Sequence, residues 1–536
     1  MSDQSSNNSG NNDQIGNSQP VTKDDKHNTN VGSNTNIDGT NPINKSTTDN
    51  IKKQIIQGVA PVDEFCPQKG VEVYYDKDKI YSAKLNQANM TKNNNKFYVI
   101  QILKGKINEF FVFSRWGRVG FQGQSSLKGP YNLQRAIQEY NQKLLEKTTV
   151  KDYRILDMDY GHDDILQNLE EKMKKDTDTC QLPKQVISLM SLIFDMNMFN
   201  NQMKEIGYDA KKMPLGKLSK DNINKAYGIL KDLYDEVEKQ DKDIVKIATM
   251  CNDFYSYIPH DFGFKKMQDQ ILDSTQKVKE KLEMIDSIQN IQIATKILED
   301  QSQGQNGNAV NLIQSQYEKL NCSITPLKDE KIYQTIKTYL DNTHSYIHDR
   351  YTLEIEDIFE VERQGEKERY MKQLNNKMLL WHGSRLTNYV GILSQGLRIA
   401  PPEAPANGYM FGKGVYFADM CSKSANYCQA NKLNNTGLMF LCEVALGNTN
   451  DLISAGYNAS KLPYGKYSVR ALGQIAPPKN SYINIYDDVT VPIGKGQVRD
   501  YKNRLKTPLL HNEYIVYNVK QIMLKYLLRL KFNFKR

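Results

Sequence analysis

"LLWHGSRLTNYVGILSQGLRIAPPEAP", Leu379 to Pro405, sets an imidazole directly after a tryptophan and before a glycine-serine pair, in a run that otherwise reads as a buried strand. A lone histidine among apolar neighbours is commonly a satisfied core or surface residue. Two further segments alter that reading, since each also carries a polar side chain within an apolar strand. They are "GYMFGKGVYFADMCSKSANYC", Gly408 to Cys428, around Tyr416 and Tyr427, and "LLHNEYIVYN", Leu509 to Asn518, around Glu513. A carboxylate flanked by apolar side chains is costly to bury unless hydrogen-bonded, so Glu513 either faces solvent on an edge strand or marks a functional cleft. One such segment alone favours ordinary packing; three together favour a site.

The chain around them has 536 residues, too many for one ordinary core, and implies roughly two to four domains. A formal net charge of +9 favours an anionic partner, nucleic acid first, although charge by itself does not identify one. Seven scattered cysteines, Cys66, Cys180, Cys251, Cys322, Cys421, Cys428 and Cys442, form no CxxC pair. They read as reduced thiols of an intracellular protein, with neither a disulfide framework nor a structural zinc cluster. No apolar run reaches the roughly 18 residues of a membrane helix, and no secretory leader is visible, so a soluble, non-secreted protein is expected.

Residues 1–60 are rich in Asn, Ser, Thr, Asp, Gln and Gly, with no aromatic residue before Phe65, and read as a disordered tail. From 61 to 165, "KFYVIQILK" and "FFVFSRWGRVGFQGQSSLKG" read as strands and "NLQRAIQEYNQKLLEK" as a helix, giving a small α+β module. Residues 178–300 read as a helical bundle. Within it Ser219 is a plausible N-cap, and Ile223, Ala226, Ile229, Leu230, Leu233 and Val237 form one stripe. Composition marks 301–314 as a linker, and 315–536 alternates strands and turns, ending in a half-buried strand with Leu528, Leu530, Phe532 and Phe534 on one face.

Several common chemistries are excluded. "GYMFGK" at Gly408 has the wrong spacing for a phosphate loop and no Ser or Thr after its lysine. "GKGQVR" at Gly494 lacks the third glycine of a dinucleotide fingerprint. His344 and His348 are spaced to share a helical face, but no glutamate between them or third ligand nearby supports a metal, and none is expected.

At His382, Tyr416 and Glu513 the sequence closely resembles the poly(ADP-ribose) polymerase family, diphtheria-toxin-like ADP-ribosyltransferases with a histidine-tyrosine-glutamate triad. The likeness extends further. "RWGRVG", Arg115 to Gly120, is similar to the family's Trp-Gly-Arg DNA-responsive module, "YSYIPHDFGF" around Tyr257 to its autoinhibitory helical subdomain, and Leu379 to Arg536 to its transferase core. The expected fold is therefore multidomain: an α+β Trp-Gly-Arg module, an all-α regulatory bundle, and a mixed, mainly antiparallel β ADP-ribosyltransferase core behind a disordered tail. Lacking zinc-finger cysteines, the chain resembles the short, nuclear, DNA-dependent members.

The resemblance implies NAD+ as substrate, with cleavage of the nicotinamide-ribose bond through an oxocarbenium-like transition state. Glu513 would stabilise the sugar and polarise the acceptor hydroxyl, while His382 would hold the adenine-side ribose or otherwise orient NAD+. The backbone of Gly383 and the hydroxyl of Ser384 would fix the carboxamide, and Tyr427 and Tyr416 would cover the two faces of the nicotinamide. Asn388 and Arg398 match adenosine contacts; Lys423, near the glutamate, and Ser424 complete the NAD-binding set. Met410 and His348 match acceptor-side positions. His511 stands where the founding polymerases have tyrosine, which leaves chain length open. Trp116 and Arg118, with Arg115 and Lys128 adding charge, would stack on and pair with a DNA end.

The implied function is that of a nuclear polymerase activated by DNA strand breaks, either 5'-phosphorylated ends or nicks. It would modify acceptor proteins, itself included, with an accessory specificity factor as a further partner and no membrane. The rivals are a mono-ADP-ribosyltransferase on the same scaffold, a catalytically silent DNA-end-binding protein, and a free NAD glycohydrolase.

Overall fold

The computed structural model describes residues 60–76, 79–159, 176, 179–205, 217–299, 311–400, 410–456, 458–486, 488–499 and 507–535. The expected disordered tail lies outside these residues apart from Ala60, as does most of the expected linker.

The N-terminal module is a six-stranded antiparallel sheet. Its strands are β1 (Glu72–Val73), β2 (Ser82–Asn89), β3 (Asn94–Lys104), β4 (Phe110–Arg118), β5 (Gln124–Tyr131) and β6 (Arg154–Leu156), in the order β5-β4-β3-β2-β6 with β1 beside β3. Strand β3 is buried along most of its length because both faces are covered. Tyr98, Ile100 and Ile102 pack with Ala136 and Tyr140 of helix α1 (Leu133–Leu145), whereas Phe97 and Val99, one residue out of phase, join the core of the helical subdomain.

That subdomain contains α2 (Lys184–Ile193), α3 (Met196–Glu205), α4 (Lys220–Val237), α5 (Ile244–Tyr257), α6 (Thr275–Glu299) and α7 (Leu312–Lys319). Ser219 caps α4 by accepting from the Asn222 amide, and Ile223, Ala226, Leu230, Leu233 and Val237 are buried, with Ile229 packed at the core's edge. The 301–314 linker requires correction at its end. Asn311 caps α7, accepting from the Gln314 amide at 3.0 Å, and buries Leu312 and Ile313, so residues 312–314 are a first helical turn.

The C-terminal core is built on two main sheets, with a two-stranded pair of Ile475–Ala476 and Gln497–Val498 beside them. The larger comprises β7 (Cys322–Pro326), β8 (Tyr351–Arg363), β9 (Lys377–Ser384), β11 (Thr436–Ala445), β14 (Ile483–Ile485), β15 (Val489–Val491) and β17 (Ile522–Phe534), in the order β14-β15-β9-β11-β17-β8-β7. The smaller contains β10 (Val415–Phe417), β12 (Thr449–Leu452), β13 (Ser468–Ala471) and β16 (Glu513–Val516), in the order β10-β16-β13-β12. The alternation expected at Leu528 to Phe534 is that of β17, a central strand pairing with both β8 and β11. Helices α8 (Glu330–Thr343), α9 (Tyr389–Gln395) and α10 (Cys421–Ala425) pack on this framework. Helix α8 ends at Thr343, so His344 and His348 do not share a helical face. Among the described residues no helix is long and apolar enough to cross a membrane.

Candidate active site

The two catalytic sheets meet where Trp381 and Ala418 exchange backbone hydrogen bonds of 2.9 and 3.0 Å. This bridge decides the geometry. His382 follows Trp381 on β9; Tyr416 precedes Ala418 on β10, whose antiparallel register with β16 pairs Phe417 with Tyr514. One step further along that register brings Glu513 opposite Ala418. Three segments distant in sequence thus reach one cleft.

His382 Nδ1 lies 3.0 Å from the Tyr416 carbonyl, which can only accept, so Nδ1 carries the proton. Burial lowers the imidazole below its ordinary value, and the neutral ring leaves Nε2 as an acceptor for a hydroxyl. The Tyr416 hydroxyl donates to Gly412 O at 2.8 Å and accepts from the Phe411 amide at 3.0 Å, fixing the ring against its own loop. Glu513, only 8% exposed, meets Lys423 Nζ at 2.6 Å through Oε1. Burial alone would lower the Lys423 ammonium, but the Glu513 carboxylate overrides it and raises the lysine above its ordinary value. Lys423 also lies 6.0 Å from the centre of the Tyr427 ring, which is half exposed at the cleft.

Helix α10 is seated directly against β9. Ser424 Oγ donates to Trp381 O at 3.0 Å, and a Cβ on Gly383 would stand 2.0 Å from the Ser424 carbonyl oxygen. Strand-helix packing therefore requires glycine at 383, a reason that stands beside the close backbone approach to a ligand expected from the sequence. Among the residues expected to meet adenosine, Asn388 Nδ2 donates to Ser384 Oγ at 2.8 Å. Asn290, from helix α6 of the helical subdomain, then joins the two expected adenosine contacts. Its Nδ2 donates to Asn388 Oδ1 at 3.1 Å and its Oδ1 accepts from Arg398 at 2.6 Å. The fit is close enough that a Cβ on Gly391 would meet Asn290 Oδ1 at 2.3 Å.

Three family models cover the described domains. The poly(ADP-ribose) polymerase catalytic domain matches residues 330–532, the poly(ADP-ribose) polymerase regulatory domain 180–317, and the WGR domain 81–158. The chain is 47% identical to poly [ADP-ribose] polymerase 2-A of Oryza sativa subsp. japonica over 480 residues, 86% of this chain and 71% of the relative. It is 40% identical to poly [ADP-ribose] polymerase 2 of Homo sapiens over 511 residues, 91% of this chain and 86% of the relative. The chain belongs to the poly(ADP-ribose) polymerase family. As such it is an NAD+ ADP-ribosyltransferase.

In this polymerase fold the two acceptor-side candidates have different surroundings. His348 Nδ1 is 3.0 Å from Ser422 Oγ and its ring centre 5.0 Å from that of His511, whose Nε2 is 2.8 Å from Ser345 Oγ. Burial first, and then the charges of His348 and Lys423, push His511 down to about 4. Met410 packs at the edge of a separate small core with Phe411 and Ile515.

Sequence reasoning missed the groups that hold Glu513 in place. Asp419 is fully buried and accepts through Oδ2 from Asn512 Nδ2 at 2.6 Å and the Tyr514 hydroxyl at 3.0 Å; Asn512 Oδ1 in turn accepts from Gly473 N and Arg499. Burial raises Asp419 above its ordinary value. The signal was present: Asp419 and Asn512 are short polar residues within apolar runs.

Among the four DNA candidates of the WGR domain, Arg115 departs from expectation. Arg115 is 2% exposed, forms a two-pronged pair with Asp63 at 2.8 Å on each side and donates to Gln122 O, so it does not meet phosphate as expected. Its role is to build the module's core. Arg118 donates to the backbone carbonyls of Gly263 at 2.6 Å and Lys265 at 3.3 Å, within the helical subdomain. Trp116 is half-buried and stacks on Tyr98, with ring centres 5.9 Å apart. Among the described residues no cluster of His, Cys, Asp or Glu could hold a metal ion.

Proposed function

We propose that this protein is a DNA-strand-break-activated poly(ADP-ribose) polymerase that modifies proteins, itself included, in the DNA damage response of the nucleus. Its partners are DNA and acceptor proteins; 5'-phosphorylated ends or nicks are the activating form, and an accessory factor tunes acceptor choice. The working domains are the WGR module at 61–165, a helical subdomain that starts at 178 and takes in α7, and the transferase core that follows α7. The observation that carries the reading is a nearly buried Glu513 carboxylate held by Lys423 beside the His382 and Tyr416 bridge.

The chemistry follows from those groups. The C1–N bond between ribose and nicotinamide breaks, nicotinamide leaves with the electron pair, and an acceptor oxygen bonds to C1 while its proton passes toward Glu513. Lys423 holds Oε1, and Oε2 has acceptor capacity for a ribose or acceptor hydroxyl as positive charge grows on the sugar. His382 receives a hydroxyl at Nε2 and sets the adenosine half. Gly383 and Ser384 fix the carboxamide, Tyr416 and Tyr427 bracket the ring, Asn388 and Arg398 hold adenosine, and Ser424 positions β9. Met410 and His348 flank the acceptor.

Asn290 supports regulation by the helical subdomain, because it engages both adenosine contacts before any substrate does. A DNA end at Trp116 competes for the Arg118 guanidinium, which otherwise ties the WGR domain to the loop at Gly263. The test is nicotinamide release with and without 5'-phosphorylated broken DNA, run beside Glu513→Gln, with products resolved on denaturing gels. DNA-stimulated turnover giving a polymer smear, lost on Glu513→Gln, is the expected outcome. A discrete band would overturn polymer synthesis, and turnover unaffected by the substitution would overturn the assignment of Glu513.

A further inference from the structure

Between helices α2 and α3 of the helical subdomain and the catalytic core lies a cavity of about 310 Å³, bordered by Arg385, Leu386 and the segment from Gln429 to Thr436. Its lining contains an anomaly. Gln202 on α3 is 8% exposed, and among the described residues its Nε2 has no hydrogen-bond partner. Buried amide donors are almost always satisfied, so this one points to a group that the protein itself does not supply. Across the lining stands Arg385, whose guanidinium makes no hydrogen bond or salt bridge among the described residues; its charge acts on Glu283 of α6 from a distance. The one carboxylate in the lining, Asp195, is engaged in capping α3, accepting from the Asn197 amide at 2.8 Å and the Met198 amide at 3.3 Å.

We infer that this cavity is a regulatory site for a nucleoside monophosphate. A guanidinium and a buried amide donor together suit the several acceptor oxygens of a phosphate monoester. Asn434 and Asn435, each offering donor and acceptor, suit sugar hydroxyls, while Leu192 and Leu386 supply apolar surface for a base. Size decides against larger ligands: the volume is at the lower end for small-molecule sites, too small for a dinucleotide. Because Gln202 belongs to the helical subdomain and Arg385 to the core, a ligand bridging them favours the closed arrangement. It thereby opposes activation, an effect that rests on the reading of the helical subdomain as a restraint.

The test is calorimetric titration of AMP into the full chain, with Gln202→Leu, Asn435→Ala and Arg398→Ala run alongside. Gln202→Leu removes the orphan donor without leaving a void, so folding is retained. The expected result is saturable binding weakened about tenfold or more by Gln202→Leu and by Asn435→Ala, and unchanged by Arg398→Ala, which alters the NAD+ cleft. No binding at millimolar AMP, or binding lost only with Arg398→Ala, would overturn the site. DNA-free nicotinamide release is then measured with and without AMP: a fall that Gln202→Leu abolishes supports regulation, and an unchanged rate overturns it. If broken DNA fails to stimulate turnover, the restraint reading falls while the calorimetric result still decides the site.

Discussion

Asn290→Ala tests the claim that the helical subdomain restrains the catalytic core. The side chain makes two contacts across the boundary, one neutral to Asn388 at 3.1 Å and one to the Arg398 guanidinium at 2.6 Å. A neutral hydrogen bond contributes about 0.5–1.5 kcal/mol and one to a charged group about 1.5–3 kcal/mol. Arg398 is exposed enough to regain water when Asn290 is removed, which places the loss at the low end, about 2 kcal/mol. If closure limits substrate entry, that loss raises DNA-free turnover about thirtyfold. The rate at saturating DNA stays unchanged, since the subdomain is then already displaced. Nicotinamide release from the full chain, with and without broken DNA, reads both quantities, and a thermal melt confirms folding. A DNA-free rate equal to that of the parent protein would refute the restraint, whatever the effect on the stimulated rate.

Arg115→Met leaves Asp63 buried without its partner and destabilises the WGR domain by about 3 kcal/mol in urea unfolding. The salt dependence of DNA binding does not change, whereas loss of a phosphate contact would lower the slope by about 0.9. Asp286 lies on α6, accepts from the Tyr227 hydroxyl, and burial raises its carboxyl to about 6. A raised carboxyl contributes stability that is full below the unfolded value near 4 and lost as pH rises through 6. Melting of the full chain should weaken over that window, and Asp286→Asn should flatten this part of the profile and raise the melting temperature at pH 7.5. Gly383→Ala drives a Cβ against the Ser424 carbonyl and should cost about 2 kcal/mol or more in thermal unfolding, with nicotinamide release falling in parallel.

The sequence was most legible where periodicity and local chemistry act over a few residues. The alternation of Leu528 to Phe534 became a central strand, and Ser219 became a cap because both signals are read within one turn or one pleat. The three site segments were legible because each strand carries a polar residue that apolar neighbours make conspicuous. What escaped depends on partners remote in the chain. Arg115 pairs with a residue 52 positions earlier, and Arg118 with a carbonyl 145 positions later, so "RWGRVG" alone shows two arginines and neither destination. Asn290 has no local signature at all, being one amide on a long helix. The misplaced end of the linker has a different cause: asparagine favours loops and helix caps for the same side-chain reason, and Asn311 is both the last loop residue and the cap of α7.

Those remote contacts explain how a DNA module can reach a site on another domain. Asn95 of β3 donates to His260 O at 2.8 Å; the same histidine donates from Nδ1 to Ile258 O at 2.6 Å, which leaves Nε2 to accept from Lys281 Nζ at 3.0 Å. Lys281 is on α6, where burial lowers its ammonium to about 8, and Asn290 lies nine residues further along the same helix. At about 1.5 Å per residue the two contacts are separated by roughly 13.5 Å of continuous backbone. A hydrogen-bonded helix of that length moves as a rod, so a shift of the His260 loop, whether begun by Arg118 leaving Gly263 or by Asn95 leaving His260, displaces Asn290 relative to Asn388 and Arg398. Opening must also part the apolar surface that Ile285, Ile288 and Ile291 of α6 share with Tyr389, Val390 and Leu393 of the catalytic core, so the polar contacts fix the position of Asn290 while hydrophobic burial sets the larger part of the cost.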